Sequence, residues 1–183
     1  YGRRHVLSNY LIYLFIMAAM NIFVFNELAK QLINKCRAKN YKLALAESCT
    51  GGLISSVITS IPGSSDIFEC SFITYSNISK KKILDVSENN LNLYGSVSKE
   101  VVIDMINGLR KKTNSDIFLA ISGIAGPGGG SINKPEGLVW ISYALKNKVL
   151  KISKLEFGPI GRDLVREKST IQSLKFLLSL LGD

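Results

Sequence analysis

The sequence predicts a single-domain α/β protein, a three-layer α/β/α sandwich around a mixed central sheet. Two observations carry this. Short apolar runs alternate with segments of helical periodicity along the chain, and the last two strand-like runs are joined by the short turn Lys146-Asn147-Lys148, a hairpin signal. Alternation implies parallel strands covered on both faces, and the hairpin adds antiparallel neighbours. With 183 residues and 46% hydrophobic content, one domain with a substantial core is expected.

In chain order, Leu28, Leu32, Ile33 and Cys36 share one face of a first helix over residues 24–39, with Lys and Arg crowding its C-terminal end as the helix dipole favours. Lys42 to Ala46 reads as a buried strand. Leu53, Ile54, Val57, Ile58 and Ile61 then recur at helical spacing until Pro62-Gly63 ends them. Ser71 to Ser76 reads as a second strand and Lys80 to Leu84 as a short helix. Ser98 opens a strong helix whose Val101, Val102, Met105, Ile106 and Leu109 lie together. Asp116 to Ile124 is a third strand, followed by the loop Gly126-Pro127-Gly128-Gly129-Gly130. Residues 137–145 and 149–157 form the hairpin, and a helix over Asp163 to Leu181 closes the chain.

Composition narrows the chemistry. The only histidine is His5, in a segment that reads as a peripheral extension, which disfavours a histidine-based triad or metal site. Cys36, Cys49 and Cys70 are odd in number and lack C-x-x-C spacing, so a reducing cytoplasm is expected, with neither a disulfide framework nor a zinc knuckle. Net charge is +9, but residues 1–42 hold +6 of it and residues 43–183 only +3. No basic stripe interleaved with aromatics follows, so nucleic acid is not an expected partner. No charge occurs from Val6 to Asn26, a length that would permit a membrane span, yet Ser8, Asn9, Asn21 and Asn26 interrupt it. Residues 1–19 are therefore read as an N-terminal extension, possible membrane anchor included, and residues 20–183 as the functional domain.

Ligands in open α/β sheets sit beyond the carboxyl ends of strands, and three such ends here carry unusual residues. They are Ser48 with Thr50 and Gly51, then Tyr75-Ser76-Asn77 leading to Lys80, and Ser122-Gly123-Ile124-Ala125-Gly126-Pro127. Glycine lets backbone N–H groups approach an oxyanion or phosphate closely. Ser48 at a strand-to-helix turn can cap the helix, bind an anion or attack a carbonyl. An attacking serine needs a base, and without a nearby histidine a lysine is the natural choice. Its pKa must fall by about 3 units from ~10.4 to serve at neutral pH. Lys80 is the candidate, burial or its neighbours Lys81 and Lys82 supplying the shift; the plainer alternative is a solvated lysine run. Cys49 reads as a small buried side chain.

Ala46-Glu-Ser-Cys-Thr-Gly-Gly52, Thr74-Tyr-Ser-Asn77 with Lys80, Gly95-Ser-Val-Ser98, Ser122-Gly-Ile-Ala-Gly-Pro127 and Lys134-Pro-Glu-Gly-Leu-Val-Trp140 together resemble the CinA C-terminal family, over about Glu27 to Leu181. The resemblance implies a stand-alone amidohydrolase of pyridine-nucleotide salvage, converting nicotinamide mononucleotide and water to nicotinate mononucleotide and ammonia, without metal or other cofactor. It implies Ser48 as nucleophile, Lys80 as general base and Tyr75 as a hydroxyl assisting the pair. Thr50, Gly51, Asn77, Ser122, Gly123 and Gly126 are the substrate-binding candidates, with Ser122 where the family often has Thr. Arg162 resembles a substrate-contacting arginine, suited to a phosphate. Family members commonly read Gly-Asp before it, where this chain has Ile160-Gly161. A homo-oligomer is expected. The alternative from another class is a non-catalytic nucleotide-binding or competence-related accessory module.

Overall fold

The computed structural model describes residues 2–182, with side-chain surroundings from residue 21 onward. The elements are α1 (Gly2–Lys39), β1 (Leu43–Glu47), α2 (Leu53–Thr59), β2 (Phe68–Ile73), α3 (Asn77–Leu84), α4 (Glu88–Tyr94), α5 (Lys99–Lys112), β3 (Ile117–Gly123), β4 (Leu138–Leu145), β5 (Lys151–Glu156) and α6 (Arg162–Leu181). One mixed sheet runs in the order β2-β1-β3-β4-β5. β2, β1 and β3 are parallel, whereas β4 and β5 join antiparallel as the hairpin signal required.

Alternation along the strands builds two cores. Leu43 and Leu45 of β1 and Ile117, Leu119 and Ile121 of β3 face α1, α2 and α6, while Ala44, Ala46, Phe118 and Ala120 face α3, α4 and α5. The second face is lined mostly by alanine, so α5 lies close to the sheet. Gly108 of α5 lies so near the Leu84 carbonyl that a Cβ there would collide with it. The helices on both faces make the three-layer sandwich that the alternation predicted.

Some boundaries differ from expectation. β2 begins and ends three residues earlier than residues 71–76, because Ser76 turns the chain as the N-cap of α3 in a reciprocal capping box with Ser79. That cap also starts α3 at Asn77 rather than Lys80. The helix α4 was not anticipated: Asn89, Asn90 and Asn92 break its periodicity, and Leu91 is its one buried residue. α1 is longer than the expected residues 24–39, its sequence containing no proline to stop it. The expectations for residues 1–19, extension or membrane anchor, concern side chains outside the described residues. Among the described residues no helix is long and apolar enough to cross a membrane, and Cys36, Cys49 and Cys70 are free.

The topology sets the site. From β1 the chain passes through α2, on one face, to β2; from β2 it passes through α3, α4 and α5, on the other face, to β3. Connections leaving in opposite directions open a crevice beyond the end of β1. The register aligns Glu47 with both Ile73 and Ile121, so Ser48, Thr74 and Ser122 follow at the same level.

Candidate active site

Ser48 is the first residue beyond β1. Its N–H donates to the Ile121 carbonyl at 3.1 Å, and its own carbonyl accepts from Gly51. This extends the sheet's order by one residue and holds the side chain on rigid backbone. Gly51 and Gly52 then turn the chain with φ of +60° and +93°, a region side chains rarely adopt.

Neither Ser48 nor Thr50 caps α2 with its side chain. α2 has no side-chain cap at its N-cap residue Gly52. Instead the fully buried Glu47 accepts from the N–H groups of Gly52 (2.9 Å), Ile54 (3.2 Å) and Ser55 (2.9 Å), and from the hydroxyls of Thr50 (2.7 Å) and Ser55. A carboxylate meets the positive end of the helix, and the Ser48 hydroxyl is left free of that task. Replacing Glu47 with Leu strands three N–H donors in the interior; a loss of about 2–4 kcal/mol in denaturant unfolding is expected.

Lys80 reaches the same hydroxyl from α3. Only 1% of it is exposed. Its Nζ lies 2.8 Å from Ser48 Oγ, 2.7 Å from the Thr74 carbonyl and 3.4 Å from the Tyr75 carbonyl. Burial drives its pKa down from 10.5 to about 8, with the nearby Cys49 acting the other way. The solvated-run alternative therefore holds for Lys81, which pairs with Glu88 at 2.6 Å on the surface, and for the exposed Lys82, but not for Lys80. Neutral lysine has two N–H bonds and one lone pair. With the N–H bonds on the two carbonyls, the lone pair faces the Ser48 hydroxyl. Burial also pushes the Cys49 thiol up to about 12, so it stays protonated and inert at neutral pH.

These groups line a cavity of about 160 Å³, together with Tyr75, Ser96, Val97, Ser122, Gly123, Ala125 and Arg162. The volume suits a planar ring with a small substituent, and it falls short of the roughly 300 Å³ at which whole-ligand pockets begin. A larger substrate would have to extend outward past Arg162, which is exposed. Gly123 has no room for a side chain: a Cβ would lie 2.7 Å from Val139 Cγ2 and 3.1 Å from Cys49 Sγ. Ser122 Oγ donates to the Ser96 carbonyl at 2.8 Å, fixing one wall.

The remaining expected residues sort by position. Arg162, despite Ile160-Gly161 before it, is the first residue of α6 and donates to the Gly126 carbonyl (3.1 Å) and the Tyr75 hydroxyl (2.6 Å). Tyr75 thus offers its hydroxyl to Arg162, and only its carbonyl to Lys80, which departs from the expected contact with the Ser48-Lys80 pair. Gly126 contributes its carbonyl through Arg162. Thr50 is completely buried behind the turn, on Glu47 and Arg166, and Gly51 and the exposed Asn77 stand outside the cavity lining. Among the described residues no cluster of three or more His, Cys, Asp or Glu could hold a metal ion.

The sequence model of the CinA C-terminal domain matches residues 25–181, including every residue of this cavity. The chain belongs to the CinA C-terminal domain family. It is 42% identical over 153 residues to the nicotinamide-nucleotide amidohydrolase PncC of Enterobacter agglomerans, covering 84% of this chain and 93% of that protein. It is 46% identical over 164 residues to a CinA-like protein of Prochlorococcus marinus (strain MIT 9515), of which it spans 38%. Among solved structures, the competence/damage inducible protein CihA from Agrobacterium tumefaciens superposes with a TM-score of 0.84 at 35% identity, covering 86% of this chain and 95% of that one.

In this CinA C-terminal domain, several residues at or behind the site were not singled out in the sequence beyond their place in the family motifs or helix. Glu47 is one, although a glutamate ending a wholly apolar strand just before a helix is itself a cue for a buried cap. Ser96 and Val97 are others, brought to the cavity by the loop between α4 and α5. Arg166, one helical turn beyond Arg162, donates to the Thr50 carbonyl at 2.9 and 3.2 Å and buttresses the Ser48 turn from behind.

Proposed function

We propose that this chain is a nicotinamide-nucleotide amidohydrolase, converting nicotinamide mononucleotide and water to nicotinate mononucleotide and ammonia. The observation that carries this reading is the buried Lys80 amine 2.8 Å from the Ser48 hydroxyl at the switch point of the sheet. The relative from Enterobacter agglomerans, matched over nearly its whole length, bears that activity in its name.

In the proposed mechanism Ser48 Oγ attacks the carboxamide carbon while neutral Lys80 takes its proton. Backbone N–H groups of the Ser48 turn or the loop after β3 hold the oxyanion. Lys80 then passes the proton to the amide nitrogen, the C–N bond breaks and ammonia leaves. Water, deprotonated by Lys80, attacks the acyl carbon; Ser48 regains its proton and the acid is released. Arg162 and Tyr75 hold the substrate where the cavity opens, Arg162 meeting its phosphate, and Ser122 and Gly123 shape the wall against the ring. The roles of Thr50, Gly51, Asn77 and Gly126 are then supporting ones, keeping turns in place. The reading includes residues 20–183 as the catalytic domain with 1–19 as an extension, a cytoplasmic location in which the three cysteines stay reduced, and a homo-oligomer, to be measured by analytical ultracentrifugation.

The test is ammonia release from nicotinamide mononucleotide in the presence of a chelator, followed across pH. Because Lys80 must be neutral, kcat/KM should rise about tenfold per pH unit below the inflection and level off above about 8. Tight binding of the mononucleotide without ammonia release would instead establish the non-catalytic binding module.

A further inference from the structure

The segment Lys134-Pro135-Glu136, between β3 and β4, supplies no atom to the cavity, yet it grips two of its walls. Lys134 Nζ donates to the carbonyls of Tyr94 and Val97, the last at 2.8 Å, bridging the ends of the turn from which Ser96 and Val97 reach the cavity. Two residues on, the Glu136 carboxylate accepts from the Gly128 N–H at 2.6 Å and lies against Gly126, whose carbonyl receives Arg162. The segment is itself braced, since the Ser131 N–H donates to the Lys134 carbonyl at 2.8 Å and the Lys134 N–H returns to the Ser131 carbonyl at 3.1 Å. Two charged side chains two residues apart thus grip two loops far apart in sequence, one at Tyr94 to Val97 and the other at Gly126 to Gly128.

We propose that Lys134 and Glu136 are positioning residues of one strap, which sets the spacing of the Ser96-Val97 wall against the Gly126-Arg162 wall and thereby the fit of the mononucleotide. This rests on the amidohydrolase reading for the identity of the ligand. The strap acts on binding rather than on bond-making. Ser48 and Lys80 take their positions from Ile121, Thr74 and Tyr75, none of which the strap touches. Both strap side chains are only half-buried, so their replacement leaves the core intact.

The experiment compares Lys134→Met, Lys134→Arg and Glu136→Gln with wild type in steady-state ammonia release and in amide hydrogen exchange. Losing two charge-assisted hydrogen bonds should raise KM by about tenfold in Lys134→Met, and losing the charge but not the acceptor oxygen by about threefold in Glu136→Gln, with kcat within about twofold of wild type in both. Lys134→Arg should recover most of the loss. Exchange should quicken at Gly95, whose N–H donates to the Leu91 carbonyl beside the gripped Tyr94, in Lys134→Met and at Gly128 in Glu136→Gln. Unchanged KM in both variants, or a fall in kcat at constant KM, overturns the strap. Should wild type release no ammonia, the amidohydrolase reading fails, and the exchange rates alone decide: no change at Gly95 and Gly128 overturns the proposal.

Discussion

Ser48→Ala is expected to lower kcat for ammonia release by roughly 10⁴-fold or more, as removal of an activated nucleophile does when little but binding and oxyanion contacts remain. Binding of nicotinamide mononucleotide, measured by calorimetry, should change by no more than about threefold, because the hydroxyl is one small group on the cavity floor. Stability should move by less than about 1 kcal/mol, since the helix cap is Glu47 and not Ser48. A capping serine would show the reverse pattern, with stability lost and turnover kept. Full activity in the variant would end the covalent mechanism.

Lys80→Met should lower kcat by about 10²- to 10⁴-fold, the range for loss of a general base. It should also change how stability depends on pH. The folded pKa of Lys80, about 8, lies below its unfolded value of 10.5. Below pH 8 both states hold the proton, and the folded state carries the full penalty of burying the charge, about 3 kcal/mol. Between pH 8 and 10.5 the unfolded chain binds more protons than the native one. Wild-type stability therefore gains from this group as pH rises through that window, and Lys80→Met does not gain. At pH 7 the variant should be more stable by about 1 kcal/mol, the removed penalty outweighing the donors lost to the Thr74 and Tyr75 carbonyls. Urea unfolding of both proteins at pH 7.5 and 10 checks this. Parallel pH dependences would mean that Lys80 is not titrating in the interior.

Much of the architecture was legible because it is written in local periodicity. Strands β1, β3 and β4 are apolar runs closed by glycine, polar or charged residues, and α5 shows a serine cap and a continuous buried stripe. α4 was illegible for the opposite reason, since a seven-residue helix with one buried leucine has no period to detect. β2 was misplaced because Thr74 and Tyr75 are good strand residues by propensity, while Ser76 turns the chain just after them.

The chain's composition already disfavoured a histidine base, and its motifs placed Ser48 where a strand yields to a helix. The pairing itself is a tertiary matter. Lys80, Lys81 and Lys82 are equivalent as sequence; the phase of α3 against the sheet buries the first and leaves its neighbours in water, and burial is what lowers the pKa. Ser48 and Thr50 are the favoured caps by type, and only the side-chain directions set by the fold give that role to Glu47. Tyr75 and Arg162, 87 residues apart, meet because the parallel strands end at one level and α6 starts beside them. Local patterns record what each segment prefers, whereas desolvation and hydrogen-bond direction depend on which segments the fold brings together.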